Sequence, residues 1–124
     1  MTLARLAGPW LLAAAVLGAL PALALDDDGD ASLYGQGASN CAAYVAVRKG
    51  GKSAAYAEWL DGYLSAVNLV LPDTYDIMGA KDREVAMAWL DRYCAGNPGD
   101  AFGFAANRLA AFLYPNRHAS KPAP

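Results

Sequence analysis

Residues 53–72 read SAAYAEWLDGYLSAVNLVLP, and their apolar members Tyr56, Trp59, Leu60, Tyr63, Leu64, Val67, Val70 and Leu71 recur in steps of three and four. Such steps return side chains to one side of a 3.6-residue spiral. The stretch therefore predicts an amphipathic helix from about 53 to 71, opened by a Ser53 cap and ended by Pro72. No alternating strand pattern and no internal repeat compete with it elsewhere in the chain. An all-α fold follows.

Upstream, residues 40–48 (NCAAYVAVR) begin at a Ser39 or Asn40 cap, carry Cys41, Tyr44 and Val45 at helical spacing and stop at Gly50-Gly51. They predict a short first helix. Downstream, Pro72 to Lys81 reads as a loop, after which Asp82 caps a third helix with Glu84 in its first turn and Arg92 in its last. Both charges suit the helix dipole. In this helix Val85, Trp89 and Tyr93 mark one stripe and Met87, Leu90 and Cys94 another, which predicts burial on two sides. Gly96 is the expected C-terminal cap and Asn97-Pro98-Gly99 the turn. Asp100 then caps a fourth helix through Phe102, Ala105, Ala106, Leu109, Phe112 and Leu113, closed by Pro115. The expectation is a small four-helix domain over residues 40–115.

The flanks have a different character. Of the 124 residues, the first two dozen hold one cation, Arg5, then an apolar run from Leu6 to Leu25 broken only by Gly and Pro, then Asp26 to Asp28. This is a secretory signal pattern, with small residues for cleavage at Ala22-Leu23-Ala24 and a cut expected after Ala24. The alternative is an uncleaved anchor, since the run approaches the ~20 apolar residues that span a bilayer. Gly8, Pro9, Gly18 and Pro21 weaken such a helix, and no cysteine stands near the cut to carry a lipid. Residues 25–39 offer only Leu33-Tyr34 as apolar material and read as a flexible acidic lead. Residues 116–124 are polar and proline-rich and read as a disordered tail. The expected location is the periplasm.

With Arg5 removed, nine basic residues face twelve acidic ones, a charge near −3 that excludes a basic nucleic-acid footprint. The two cysteines of an exported chain are most simply one disulfide, Cys41 to Cys94; a redox pair or half of a metal site are the alternatives, without a C-x-x-C spacing or a nearby histidine to support them. No strained nucleophile turn surrounds Ser53 or Ser65, and no glycine-rich phosphate loop occurs. The single histidine, His118, falls in the tail. Glu58 and Asp61 stand three apart, but opposite the apolar stripe, as on a solvated face. Asn68, beside that stripe, predicts a hydrogen bond between helices, with a ligand contact as the alternative, and Gly62 predicts a close helix contact that offsets its cost of about 1 kcal/mol relative to Ala. Trp59, Tyr63 and Val67 form the candidate binding surface. The reading is a non-enzymatic domain with no metal or cofactor, no membrane attachment after cleavage, and a protein partner.

Three strings taken together, Cys41-Ala-Ala-Tyr44-Val45, Trp59-Leu60-Asp61-Gly62-Tyr63-Leu64 and Leu90-Asp91-Arg92-Tyr93-Cys94-Ala-Gly-Asn97-Pro98, resemble the small periplasmic acid-stress chaperones of the HdeA/HdeB family. The resemblance covers Cys41 to about Leu113. It implies an all-helical fold with one disulfide at Cys41 and Cys94, a homodimer at neutral pH, and acid-triggered exposure of apolar surface that holds unfolding clients. The loop 72–81 and the acidic lead depart from that pattern. A second resemblance, in the G-Y helix, the N-P turn and the terminal F-L-Y-P, is to the Tai-type immunity proteins, which bind a single cell-wall amidase effector. A third class is an accessory subunit of an envelope complex.

Overall fold

A computed structural model describes residues 25–124 apart from Asp27, so the signal segment 1–24 and its cut lie outside the described residues. Four helices are present: α1 (Cys41–Lys49), α2 (Ala54–Val70), α3 (Arg83–Gly96) and α4 (Phe102–Leu113). Short 3-10 turns at Gly35–Ala38 and Tyr114–Asn116 precede and follow them. No strand occurs among the described residues; two isolated bridges join Asn40 to Ala101 and Asp76 to His118. Residues 32–124 form one unit. Within 25–31, described by itself, the Asp26 carboxylate accepts from the amides of Asp28 and Asp30 at 3.0 and 2.8 Å.

The caps explain where each helix begins. The Asn40 side chain accepts from the Ala43 amide at 2.8 Å, and the Asp82 side chain accepts from the Val85 amide at 3.0 Å, each satisfying a donor the helix cannot. Two expected caps are corrected. The Ser53 side chain makes no cap hydrogen bond, and its carbonyl instead accepts from Tyr56 and Ala57. Asp100 is not the cap of α4; Ala101 holds that position, and the Asp100 carboxylate accepts from the Tyr93 hydroxyl at 2.6 Å.

α4 packs against each of the other three helices. Gly103, Ala105, Ala106 and Ala110 give it a narrow profile, and Phe102, Leu109 and Leu113 bury fully between its neighbours. Burial on two sides thus belongs to α4. The second stripe of α3 is instead half-open, with Val85 44% exposed and Trp89 and Tyr93 only partly covered. Small side chains let backbones approach, which the bulky stripe of α3 does not. At the centre the rings of Tyr44, Tyr56 and Phe102 meet pairwise with centroids 4.8–5.2 Å apart, joining α1, α2 and α4. Each ring buried there contributes on the order of 2 kcal/mol or more.

Both flanks are more ordered than their composition suggests. Leu33 packs on Gly103, and Gly37 is buried against the Trp59 indole, whose ring nitrogen donates to the Tyr34 carbonyl at 2.9 Å. A Cβ on Gly37 would stand 2.1 Å from that ring, so only glycine fits. The expected flexible lead therefore ends near Ser32, because Leu33 and the indole supply the burial that its own sequence lacks. At the other end, the Asp76 and His118 backbones pair, with His118 N donating to Asp76 O at 2.9 Å. Arg117 donates to Asp73 O and Thr74 Oγ1 and lies 3.7 Å over the Tyr114 ring. Residues 116–118, expected in a disordered tail, are a strap across the loop 72–79.

Candidate functional site

Cys41 and Cys94 form a disulfide, with Cα atoms 4.8 Å apart and both residues fully buried. It joins the first turn of α1 to the last turn of α3, as the sequence reading placed it. Beside it lies a charged cluster. The Tyr44 hydroxyl donates to the Asp91 carboxylate at 2.6 Å, and Arg48 Nε reaches both oxygens of the same group at 3.1 Å. Arg48 also pairs with Glu84. Burial, reinforced by the Asp91 hydrogen bond, pushes the Tyr44 phenol far above its ordinary value. The hydrogen bond to Glu84 raises the Arg48 guanidinium. Sequence reasoning missed this cluster. Its available signal was spacing: Tyr44 and Arg48 stand one turn apart on α1, and Glu84 and Asp91 two turns apart on α3.

All three ion pairs among the described residues involve α3: Arg48 with Glu84, Arg48 with Asp91, and Arg83 with Asp61 of α2. The Glu58 and Asp61 pair of the sequence is thereby divided, since Asp61 is held by Arg83 while Glu58 stays exposed.

Trp59, Tyr63 and Val67 do not present an open surface. Val67 is buried, and Trp59 stacks on Tyr63 at 5.5 Å while covering Gly37. Tyr63 donates to Asn107 of α4 at 3.2 Å, and burial raises its phenol. The apolar groups that do reach solvent are elsewhere. Leu69 is 86% exposed and Val70 74%, at the end of α2, with Leu71 and Tyr75 following. A row of stacked rings, Tyr93, Trp89 and Phe112, runs over α3 and α4 at spacings of 5.3 and 5.6 Å.

Two further readings are corrected. Asn68 does not bridge helices: its side-chain oxygen accepts from the Ile77 amide at 2.7 Å and pins the loop onto α2, with Ile77 fully buried. Gly62 meets no neighbour within 4 Å of where a Cβ would stand, so no close helix contact accounts for it. His118 is held by backbone bonds alone. Between α2, the loop and the start of α3 lies a cleft of about 470 Å³ with Asp61, Asn68, Asp76, Lys81 and Arg83 at its rim and Leu64 and Ala86 in its floor. No described helix is long and apolar enough to cross a membrane. Comparison with family models, characterised proteins and solved structures gives no match to this chain.

Proposed function

We propose that this chain is an exported protein-binding domain that opens in acid and holds unfolding clients, as its resemblance to the HdeA/HdeB-type chaperones implies. The observation that carries the reading is the placement of charge. Every ion pair among the described residues ties α3 to α1 or α2 through a carboxylate, whereas the one covalent tie, Cys41 to Cys94, is indifferent to pH. Protonation of the carboxylates in acid removes the first kind and leaves the second. With twelve carboxyl groups neutral, nine basic residues and His118 leave a mature charge near +10. Self-repulsion of that size loosens a domain this small. α1 and α3 remain linked, so α2 is the helix set free, and its inner face carries Tyr56, Trp59, Leu60, Tyr63, Leu64 and Val67. The candidate surface of the sequence is then a surface of the open state.

The closed state supports a second reading. Leu69 and Val70 already stand in solvent, which suits one fixed partner of the kind an immunity protein or an envelope subunit binds. Two measurements separate the readings: dye binding to apolar surface between pH 7 and pH 2, and light scattering of an aggregating client at low pH with and without the protein. Opening together with suppression of aggregation supports the chaperone. A domain that stays closed, or one stoichiometric partner that co-purifies at neutral pH, supports the fixed partner.

A further inference from the structure

The cleft beside α2 carries, besides one ion pair of the acid reading, polar groups that the acid reading does not use. One wall is the Asp61–Arg83 pair. The other groups are left uncommitted. Lys81 pairs with no carboxylate among the described residues. Asp76 uses one carboxylate oxygen to accept from the Met78 amide at 3.0 Å and pairs with no cation among the described residues. Asn68 spends its oxygen on Ile77, and its NH2 donates to no residue described. An unpaired cation and an amide donor thus share one concavity with one carboxylate outside any ion pair among the described residues, over an apolar floor of Leu64, Met78 and Ala86.

The walls are rigid for a loop. Ile77 is buried beneath the rim, Asn68 pins it from α2, and the Asp76 backbone is paired with His118. A site of this kind does not have to order itself before it can bind. Its balance of charge selects the ligand. A dianion such as phosphate meets Asp76 and Asp61 as well as Lys81, and a simple cation meets Lys81 and Arg83. A compact molecule carrying one carboxylate and one ammonium satisfies both: the carboxylate at Lys81 and the Asn68 NH2, the ammonium at Asp76. We propose that this cleft binds a small zwitterion, a free amino acid or a short peptide with both ends open. About 470 Å³ admits a ligand of that size.

The test is a titration of the isotope-labelled domain at neutral pH, followed by amide spectra, with L-alanine and L-alanyl-L-alanine as probes. Saturable shifts at Met78, Lys81 and the Asn68 side-chain NH2 are expected, and whichever probe binds more tightly identifies the source. Acetylating the amino end of the dipeptide, or converting its carboxyl end to the amide, weakens binding by about fivefold or more. Lys81→Gln and Asp76→Asn each do the same, whereas Lys52→Gln, remote from the cleft, changes nothing. Asp76→Asn retains the oxygen that the Met78 amide needs, and an unchanged melting curve verifies the fold. Absence of saturable shifts, equal binding of blocked and open dipeptides, or inorganic phosphate binding as tightly as the dipeptide overturns the proposal.

Discussion

Gly62 and Gly37 look alike in the sequence and behave oppositely in the fold. A methyl group at Gly62 meets open solvent and relieves the conformational cost of glycine inside a helix. Gly62→Ala should therefore stabilise the domain by about 0.5–1 kcal/mol, read as a rise in melting temperature. Gly37→Ala should destabilise it by about 1–3 kcal/mol and shift Trp59 fluorescence, because the indole has to leave its place. Asn68 shows why side-chain roles were the least legible part of the chain. Its position next to the apolar stripe was plain, but its partner is a backbone amide nine residues on, placed there by a loop with no periodic pattern. The tyrosines make a prediction of their own. Burial raises Tyr44 and Tyr63, and the Asp100 hydrogen bond, aided by burial, raises Tyr93. The folded state keeps these protons longer than the unfolded chain does. The stability they contribute is complete below the unfolded value of about 10 and is lost as pH rises through their raised values. Denaturant unfolding followed between pH 8 and pH 12 should show that decline, with phenolate absorbance lagging behind that of the unfolded chain.

At the scale of elements, the four helices were readable because Gly, Pro and, for α1 and α3, a capping side chain bracket each apolar repeat. What the repeat could not show was which helix becomes the centre. α3 is the longer of the two, 14 residues against 12, yet α4 is the more enclosed, since its alanines let three other helices come close. The 3-10 turn at Gly35–Ala38 and the strap at 116–118 were not legible for the same reason: their burial is supplied by Trp59, Leu33 and the loop 72–79 rather than by a pattern of their own. α1 depends on its neighbours most. Nine residues are too few for a stable isolated helix in water, so its order comes from Tyr44, the Asp91 cluster and the disulfide. Closing a chain segment of 53 residues stabilises the fold by roughly 4 kcal/mol on the chain-entropy model. Cys41→Ser or Cys94→Ser should lower unfolding free energy by several kcal/mol. The same loss should appear in the parent protein when reductant is added to the denaturant titration.

For the molecule as a whole, acid sensitivity should depend on where the charge sits as well as on how much there is. Asp61 is the only carboxylate that ties α2 to α3 by an ion pair among the described residues. Asp61→Asn should therefore move the onset of dye binding to higher pH than in the parent. Asp28→Asn, equally a loss of one negative charge but outside the unit formed by residues 32–124, should leave the onset in place. Equal shifts from both would mean that net charge alone governs opening, and the α3 ion pairs would lose their assigned role.

The way α1 is seated also bears on how the chain is made. Its first turn donates backbone hydrogen bonds from Cys41 and Ala42 to Asp100 and Pro98, and its covalent partner is Cys94. A ribosome delivers residues in order at about 5–20 per second, so the first helix to be synthesised waits for residues 94–100 before it can be seated. For roughly 3–10 seconds at that rate the Cys41 thiol has no intramolecular partner. Pairing of the two cysteines waits on nearly the whole of α3.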